Sequence, residues 1–251
     1  LAERILATES PLIPKLSWLV AAAEHLHASE SSALWIIWAA LLVAGIALTA
    51  GFACRASAIA LWLLHLAVAK SGALSAYGVD NFMTIGLFYL MVAPLPDRAA
   101  LDRKLRPHAS PPDPRLLGFF RGVLQVHLCF VYFFAGLAKA LGSGWWDGTN
   151  LWRALSRPPF NIISPDLLAH ASFLLPPLGV AIVAIELGYP IFIWLRQTRL
   201  VWLVLVCGMH VGIAFTMSMH LFGLVMIILN VAAFGPSDPR LSTRRSAAAS
   251  R

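Results

Sequence analysis

The sequence predicts an all-α, polytopic transmembrane helical bundle of about seven spans (roughly six to eight), at about 20 residues per span. Its composition carries this prediction, since 59% of the 251 residues are hydrophobic and only 12% are charged. An ordinary soluble domain carries about 25% charged residues. Strands of a membrane barrel alternate apolar and polar residues, whereas the segments here are apolar on nearly every side. We therefore exclude a soluble globular protein and expect a helical membrane protein.

Seven apolar segments are the candidate spans, and all but the sixth end at charged, proline-containing or glycine-containing sequence. The first contains no charged residue and is long enough to cross a hydrocarbon core of about 30 Å. The third begins at Asp80, a residue type suited to an N-cap, and the fifth contains the pair Pro176–Pro177. The last two form a hairpin around Ser218 and His220. The segments are 33–53, 57–69, 80–95, 116–141, 167–195, 200–217 and 221–235.

The segment after the fourth candidate span, residues 141–166, is too polar to span and too aromatic for a linker. Trp145, Trp146 and Trp152 lie within eight residues of one another, and tryptophan rings prefer the interface between lipid and water. We expect an interfacial loop there. The predicted organisation is an interfacial or extracytoplasmic segment (1–32), a membrane domain (33–236) and a basic cytoplasmic tail (237–251).

Lysine and arginine residues are distributed unequally between the two faces of a seven-span arrangement. One face receives twelve and the other five. Cytoplasmic loops of membrane proteins carry the excess of these residues, so the richer face is predicted to be cytoplasmic, in a bacterial-type inner membrane. The twelve are Arg55, Arg98, Arg103, Lys104, Arg106, Arg115, Arg196, Arg199, Arg240, Arg244, Arg245 and Arg251; the five are Arg4, Lys15, Lys70, Arg153 and Arg157.

The fourth candidate span carries a stripe of polar side chains formed by Arg121, Gln125, Tyr132 and Lys139. At about 100° per residue these four lie within about 40° of one another. Ionisable groups at membrane depth are costly and usually face the bundle interior or a water-filled cavity. We therefore predict that the stripe lines an interior cavity. The alternative for the two end residues, Arg121 and Lys139, is that they extend to the headgroups.

Glu186 is the one carboxylate deep inside an apolar segment. The sequence leaves its partner open: Lys139, Arg121 and His210 are candidates, and a proton-carrying role is a further alternative. For the single histidines His65, His210 and His220 a satisfied core or interface position is favoured, as is a packing role for Cys54, Cys129 and Cys207. No residues are spaced for a metal, no nucleotide or hydrolase motif is present, and no basic cluster indicates nucleic acid.

The run from Val131 to Phe160, VYFFAGLAKALGSGWWDGTNLWRALSRPPF, resembles the signature of the horizontally transferred transmembrane (HTTM) domain. This family is related to the membrane domain of vitamin K-dependent γ-glutamyl carboxylase. RASAIALWLLHLAVAKSGALSAYGVDNF, LFYLMVAP and HVGIAFTMSMHLFGLVMIILNVAAFGP are also similar, and the resemblance covers residues 33–236. The most specific matches are Tyr132, Phe133, Ala135, Gly136, Lys139, Trp145 and Gly148.

The resemblance implies a role for Lys139, which falls at the position of the lysine that acts as a base on vitamin K hydroquinone in the carboxylase. A lysine desolvated in an apolar pocket can remove a proton near neutral pH. The carboxylase also has a large extramembrane portion and a histidine before its third span, which find no counterpart here, so glutamate carboxylation is not predicted. Family members usually open with a further apolar helix, which predicts a longer natural chain with a cytoplasmic N-terminus.

Three functions remain open from the sequence. The first is a membrane enzyme acting on a lipid-soluble quinone or hydroquinone. In it Lys139 is the base, Tyr132 and Glu186 assist, and Arg121, Gln125, His210, Trp145 and Trp146 line the site, with the tryptophan segment as a lid. The second is a non-catalytic membrane protein, such as an immunity, toxin-maturation or assembly partner. The third, a proton-coupled transporter using Glu186, is least favoured because the halves lack inverted-repeat similarity. The expected partners are the lipid bilayer and a lipid-soluble small molecule.

Overall fold

The computed structural model describes residues 25, 30–71, 77–95, 100–107, 113–158 and 161–236. Within these residues the ordered elements are helices and no strand is present. The α-helices are α1 (Glu30–Ala50), α2 (Cys54–Ser71), α3 (Gly78–Val92), α4 (Leu101–Leu105), α5 (Pro114–Ala140), α6 (Thr149–Ser156), α7 (Pro165–His170), α8 (Leu175–Phe192), α9 (Arg199–Thr216) and α10 (His220–Phe234), with 3₁₀ turns at Ser143–Trp145 and Ser172–Leu174. The expected all-α class is confirmed for the described part of the chain.

Three of the described helical stretches are long and apolar enough to cross a membrane. They are Pro114–Ala140, Ser172–Phe192 and Arg199–Thr216. Four shorter apolar stretches accompany them: Trp35–Ala50, Cys54–Ala69, Gly78–Val92 and His220–Phe234. Many large apolar side chains on these helices are exposed, including Val43, Phe134 and Phe215. Such a surface suits lipid, whose hydrocarbon tails are as apolar as the side chains.

The chain forms two compact units, one ending at Phe120 and the other beginning at Arg121, so that the division falls within α5. In the first unit α1 packs against α2, and α2 against α3. The carboxylate of Asp102 accepts hydrogen bonds from the backbone N–H groups of Ala53 and Cys54, each at 2.8 Å. Both hydrogen bonds lower the pKa of Asp102 below its ordinary value, and the bond from Cys54 has the larger effect. Asp102 thus fixes the turn that starts α2.

Arg55, in the first turn of α2, binds the end of α3. Its guanidinium donates to the carbonyl oxygens of Met91 and Ala93, the second at 2.7 Å. These carbonyls lie at the end of α3, where no further turn of helix supplies a donor. A positive charge there also interacts favourably with the helix dipole. The arginine therefore caps α3.

In the second unit the three helices α8, α9 and α10 pack in chain order, and α6 packs against α8. The hairpin of α9 and α10 turns at Ser218, whose φ of 55° lies in the left-handed region. The sequence predicted this hairpin and its division at Ser218 and His220. The buried positions of this hairpin include two polar side chains, His210 and Asn230. Because their surroundings are apolar, both side chains depend on one hydrogen-bond network.

Two predicted boundaries differ from the structure. The segment predicted as one span over 167–195 contains α7, a 3₁₀ turn and then α8, which begins at Leu175. Pro176–Pro177 therefore lies in the first turn of α8, where backbone N–H groups have no intrahelical partner and proline is tolerated. Helix α3 begins at Gly78 rather than at Asp80. Asp80 is its third residue, and the carboxylate accepts a hydrogen bond from the N–H of Tyr77 at 2.8 Å.

Candidate functional site

An ion pair between Lys139 and Glu186 forms the centre of the second unit's polar interior. Lys139 Nζ lies 2.9 Å from Glu186 Oε1 and 2.7 Å from Oε2. The side chain of Glu186 is 7% exposed and that of Lys139 is 22% exposed. The pair joins the end of α5 to the middle of α8. Among the partners that the sequence left open for Glu186, the structure selects Lys139.

Gly136 explains how the two charges reach each other. It lies one turn before Lys139 on α5, and a Cβ built on it would lie 2.9 Å from the backbone N of Leu187 and 3.0 Å from Glu186 Cβ. No side chain larger than hydrogen fits without a shift of the backbone. The absence of a side chain at Gly136 therefore brings α5 and α8 into direct contact beside the ion pair.

The tryptophan segment packs over this pair. The Trp145 ring centroid lies 5.3 Å from Lys139 Nζ, which is a cation–π distance. A Cβ on Gly179 of α8 would clash with the carbonyl oxygen of Trp145, and Gly148, at φ 82°, lies directly against the backbone of Leu175 and Pro176. Two glycines thus allow the segment to lie on the start of α8, with Trp145 facing the ammonium.

Trp146 takes a different position from its neighbour. The residue is 49% exposed, and its indole Nε1 donates to the carbonyl oxygen of Ala140 at 2.9 Å. It therefore caps the end of α5. Asp147 follows and starts α6 by accepting from the N–H of Thr149 at 2.8 Å, a bond that lowers the pKa of Asp147 below its ordinary value. Trp145, rather than Trp146, is the tryptophan next to the ion pair.

A second polar group lies deeper in the same unit and links four helices. Tyr189 on α8 donates to Asn230 Oδ1 at 2.7 Å, and Asn230 Nδ2 donates to Tyr132 Oη at 2.7 Å. Tyr132 Oη lies 2.8 Å from Nε2 of His210 on α9. All four side chains are buried. The Tyr132 and Tyr189 rings are in contact, with centroids 4.2 Å apart.

The other end of the predicted stripe holds the last helix. Arg121 donates to the carbonyl oxygens of Ala233 at 2.7 Å and Gly235 at 2.9 Å, and Gln125 donates to that of Ala233 at 2.7 Å. These carbonyls close α10. The stripe thus faces protein along its whole length, and Arg121 and Gln125 use their donors to cap a helix. Whether these two residues also line a cavity stays a prediction.

Sequence reasoning missed Tyr189, Asn230 and the packing role of the glycines. Asn230 had a readable signal, since it is a lone amide in the apolar run LFGLVMIILNVAAF, and such groups bond between helices in membranes. Tyr189 lies three residues after Glu186 and therefore on the same face of α8. The contacts of Gly136 and Gly179 depend on the path of another helix, which local sequence does not specify.

No group of three or more potential metal ligands occurs among the described residues. Nε2 of His65 lies at hydrogen-bond distance, 3.1 Å, from the carbonyl oxygen of Asp80, as expected for a satisfied core histidine. Cys54, Cys129 and Cys207 are free thiols.

Comparison with known proteins adds one finding. No curated protein and no solved structure shows a significant match to the chain. The family model of the HTTM domain matches residues 19–238, which is most of the chain and includes the complete polar interior described above. The chain therefore belongs to the HTTM-domain family, whose domain is a membrane domain.

Proposed function

We propose that the protein is an integral membrane enzyme that acts on a quinone-type, lipid-soluble substrate, with Lys139 as the base. The observation that carries this proposal is the Lys139–Glu186 pair. A buried pair of opposite charges adds little net stability compared with apolar residues of similar volume, and ionisable groups at membrane depth are functional by default. The partial exposure of Lys139 leaves its amine within reach of a ligand.

The geometry supports a proton transfer that is balanced within the pair. In the ion pair Lys139 is an ammonium and Glu186 a carboxylate. Movement of one Nζ proton to a glutamate oxygen, across 2.7 Å, gives a neutral amine and a carboxylic acid with no change in net charge. The amine lone pair then accepts a proton from a hydroquinone hydroxyl, leaving a hydroquinone anion beside the new ammonium. Glu186 is thus the first proton acceptor, and Trp145 covers the ammonium.

The proposal includes an arrangement in the membrane. The seven apolar helices α1, α2, α3, α5, α8, α9 and α10 each span the bilayer of a bacterial-type inner membrane. The segment 141–166 lies at the extracytoplasmic interface, with its Trp145–Trp152 part as a lid over Lys139, and the 97–115 loop and the tail are cytoplasmic. The excess of lysine and arginine on one face supports this orientation.

A second candidate is a non-catalytic membrane protein that serves as a partner in immunity, toxin maturation or assembly. The observation that favours it is mutual satisfaction, since Lys139 binds Glu186, and Tyr132 bonds to both Asn230 and His210. In this function the same residues only hold the bundle together.

Equilibrium binding separates the two. The purified protein in detergent is titrated with 2-methyl-1,4-naphthoquinone and with its hydroquinone under anaerobic conditions, using tryptophan fluorescence because Trp145 lies at the site. We expect saturable binding that Lys139→Ala weakens at least tenfold, while the exposed control Lys104→Ala binds as the wild type does. Equal binding by the wild type and Lys139→Ala, or no saturable binding by the wild type, would favour the non-catalytic function.

A further inference from the structure

His210 has a buried ring nitrogen without a hydrogen-bond partner. Its side chain is 3% exposed, and Nδ1 is the one buried side-chain N or O atom in the described part of the chain that finds no partner. An unsatisfied buried polar group costs about 1–3 kcal/mol. Native proteins rarely keep such a group without a reason, and a catalytic role or a bound water or ion is among the usual reasons.

The hydrogen bonds around it fix which proton this nitrogen carries. Asn230 Nδ2 donates to the carbonyl oxygen of Met226 at 2.8 Å and to Tyr132 Oη, which sets the amide orientation and uses both of its hydrogens. Tyr132 Oη therefore already accepts one bond. If His210 Nε2 donated to it as well, the phenol hydrogen of Tyr132 and the Nδ1 lone pair would both lack partners.

The opposite tautomer leaves a single unsatisfied group. In it Tyr132 donates its phenol hydrogen to His210 Nε2, and Nδ1 carries the ring hydrogen. The bonds then run in one direction, from Tyr189 to Asn230, from Asn230 to Tyr132 and from Tyr132 to His210. Chained hydrogen bonds polarise one another, so this series ends in a strengthened donor, the Nδ1–H of a neutral imidazole.

We infer that His210 Nδ1–H binds a carbonyl or enolate oxygen of the lipid-soluble substrate. This inference rests on the proposed function and names the group that would hold the oxygen on which negative charge develops when Lys139 takes a proton. A fixed donor at such an oxygen stabilises the charge without reorganisation. The Phe222 ring packs against this histidine, with its centroid 5.6 Å from that of His210.

Two amide substitutions separate the two nitrogens of His210. A glutamine amide oxygen can replace Nε2 and accept from Tyr132, but it places no donor at the Nδ1 position. An asparagine amide nitrogen can replace the Nδ1–H donor, but it does not reach Tyr132. His210→Gln therefore preserves the network and removes the proposed contact, and His210→Asn does the reverse.

The probe is 2-methyl-1,4-naphthoquinone labelled with ¹³C at its carbonyls, and the readouts are infrared spectroscopy and the dissociation constant. We expect a carbonyl band of the bound quinone to shift to lower wavenumber in the wild type and in His210→Asn but not in His210→Gln. We expect His210→Gln to weaken binding about 3- to 10-fold, the range for one neutral hydrogen bond. Thermal unfolding of both variants checks that the bundle is intact.

The outcomes distinguish this inference from the proposed function. If the wild type binds no quinone, both fail. If binding depends on Lys139 while the carbonyl band is unshifted or is the same in His210→Gln, the proposed function stands and the inference is overturned. A ligand-free measurement tests the tautomer: ¹⁵N NMR of histidine-labelled protein, assigned with His210→Gln, should show Nδ1 protonated and Nε2 unprotonated. The reverse tautomer would overturn the inference.

Discussion

Lys139 and Glu186 each carry a charge that the surrounding apolar side chains cannot solvate. Loss of either partner leaves the other charge buried, which costs about 3–5 kcal/mol when both are fully buried. Because Lys139 is 22% exposed and Glu186 only 7%, we expect less than this for Glu186→Gln, which leaves the lysine, and a larger loss for Lys139→Met, which leaves the carboxylate. The double variant should recover part of the loss. Unfolding in detergent, arranged as a double-mutant cycle, measures the coupling, and strictly additive losses would contradict the pairing.

Tyr132 lies inside the buried network with a hydrogen bond on each side, whereas Tyr189 lies at its beginning. Tyr132→Phe removes the acceptor of Asn230 and the donor to His210, so that two buried groups lose their partner. Tyr189→Phe leaves only Asn230 Oδ1 without its donor. We expect Tyr132→Phe to be the more destabilising by about 1–3 kcal/mol. Equal unfolding free energies for the two variants would contradict two stabilising hydrogen bonds at Tyr132.

For individual residues, the sequence predicted which side chains lie in the polar interior better than it predicted which of them pair with each other. Lys139, Tyr132, Glu186 and His210 were all singled out because polar groups are rare in apolar helices, and all four lie in the polar interior of the second unit. Their pairing depends on the relative rotation of α5, α8 and α9, which side-chain periodicity within one helix cannot specify. This is why the partner of Glu186 stayed open until the helices were placed.

At the scale of elements, close contact between α5 and α8 depends on Gly136. An added methyl group would press on Leu187 and Glu186, and overpacking typically costs about 1–3 kcal/mol. Gly136→Ala should therefore destabilise the protein and also weaken quinone binding. Gly122→Ala is the matched control, since it lies on the same helix with nothing within 4 Å of the new Cβ. Equal stability of the two variants would contradict the close packing of α5 on α8.

The turn between α1 and α2 should respond to acid through Asp102. Its pKa is lowered in the folded state by the N–H groups of Cys54 and Ala53, so its stabilising contribution is complete above the ordinary carboxyl range near pH 4. The contribution is lost as pH falls through the lowered value. The difference in Tm between the wild type and Asp102→Asn should be constant from pH 7 to 5 and shrink below about pH 4. A difference that grows in acid would contradict this assignment.

The helix boundaries show what local sequence can and cannot specify. Apolar runs predicted most of α5, α9 and α10, because a helix in contact with lipid needs an apolar sequence over its whole length. The run 167–195 was too long for one helix, since apolar residues continue through the 3₁₀ turn at Ser172–Leu174, and the membrane-length stretch is Ser172–Phe192. The proline pair was the available signal, because proline at the start of a helix is common and in its interior is costly.

For the whole molecule, the orientation in the membrane is the prediction to test. In a cysteine-free background, Ser110→Cys and Ser246→Cys should resist a membrane-impermeant thiol reagent added to intact cells and react after lysis, because both positions are expected in the cytoplasm. These positions lie outside the residues that the structure describes. Ser156→Cys on α6 is the control expected to react from outside. Efficient labelling of positions 110 and 246 in intact cells would reverse the orientation.

The most direct test of the proposed enzyme is the protonation state of a bound hydroquinone. A hydroquinone anion absorbs at longer wavelength than the neutral form, and arginine keeps the charge of Lys139 but is effectively never deprotonated. We therefore expect the wild type to bind 2-methyl-1,4-naphthohydroquinone as its anion at neutral pH under anaerobic conditions, and folded Lys139→Arg to bind it only in the neutral form. The same anion spectrum in both proteins would contradict the assignment of Lys139 as the base.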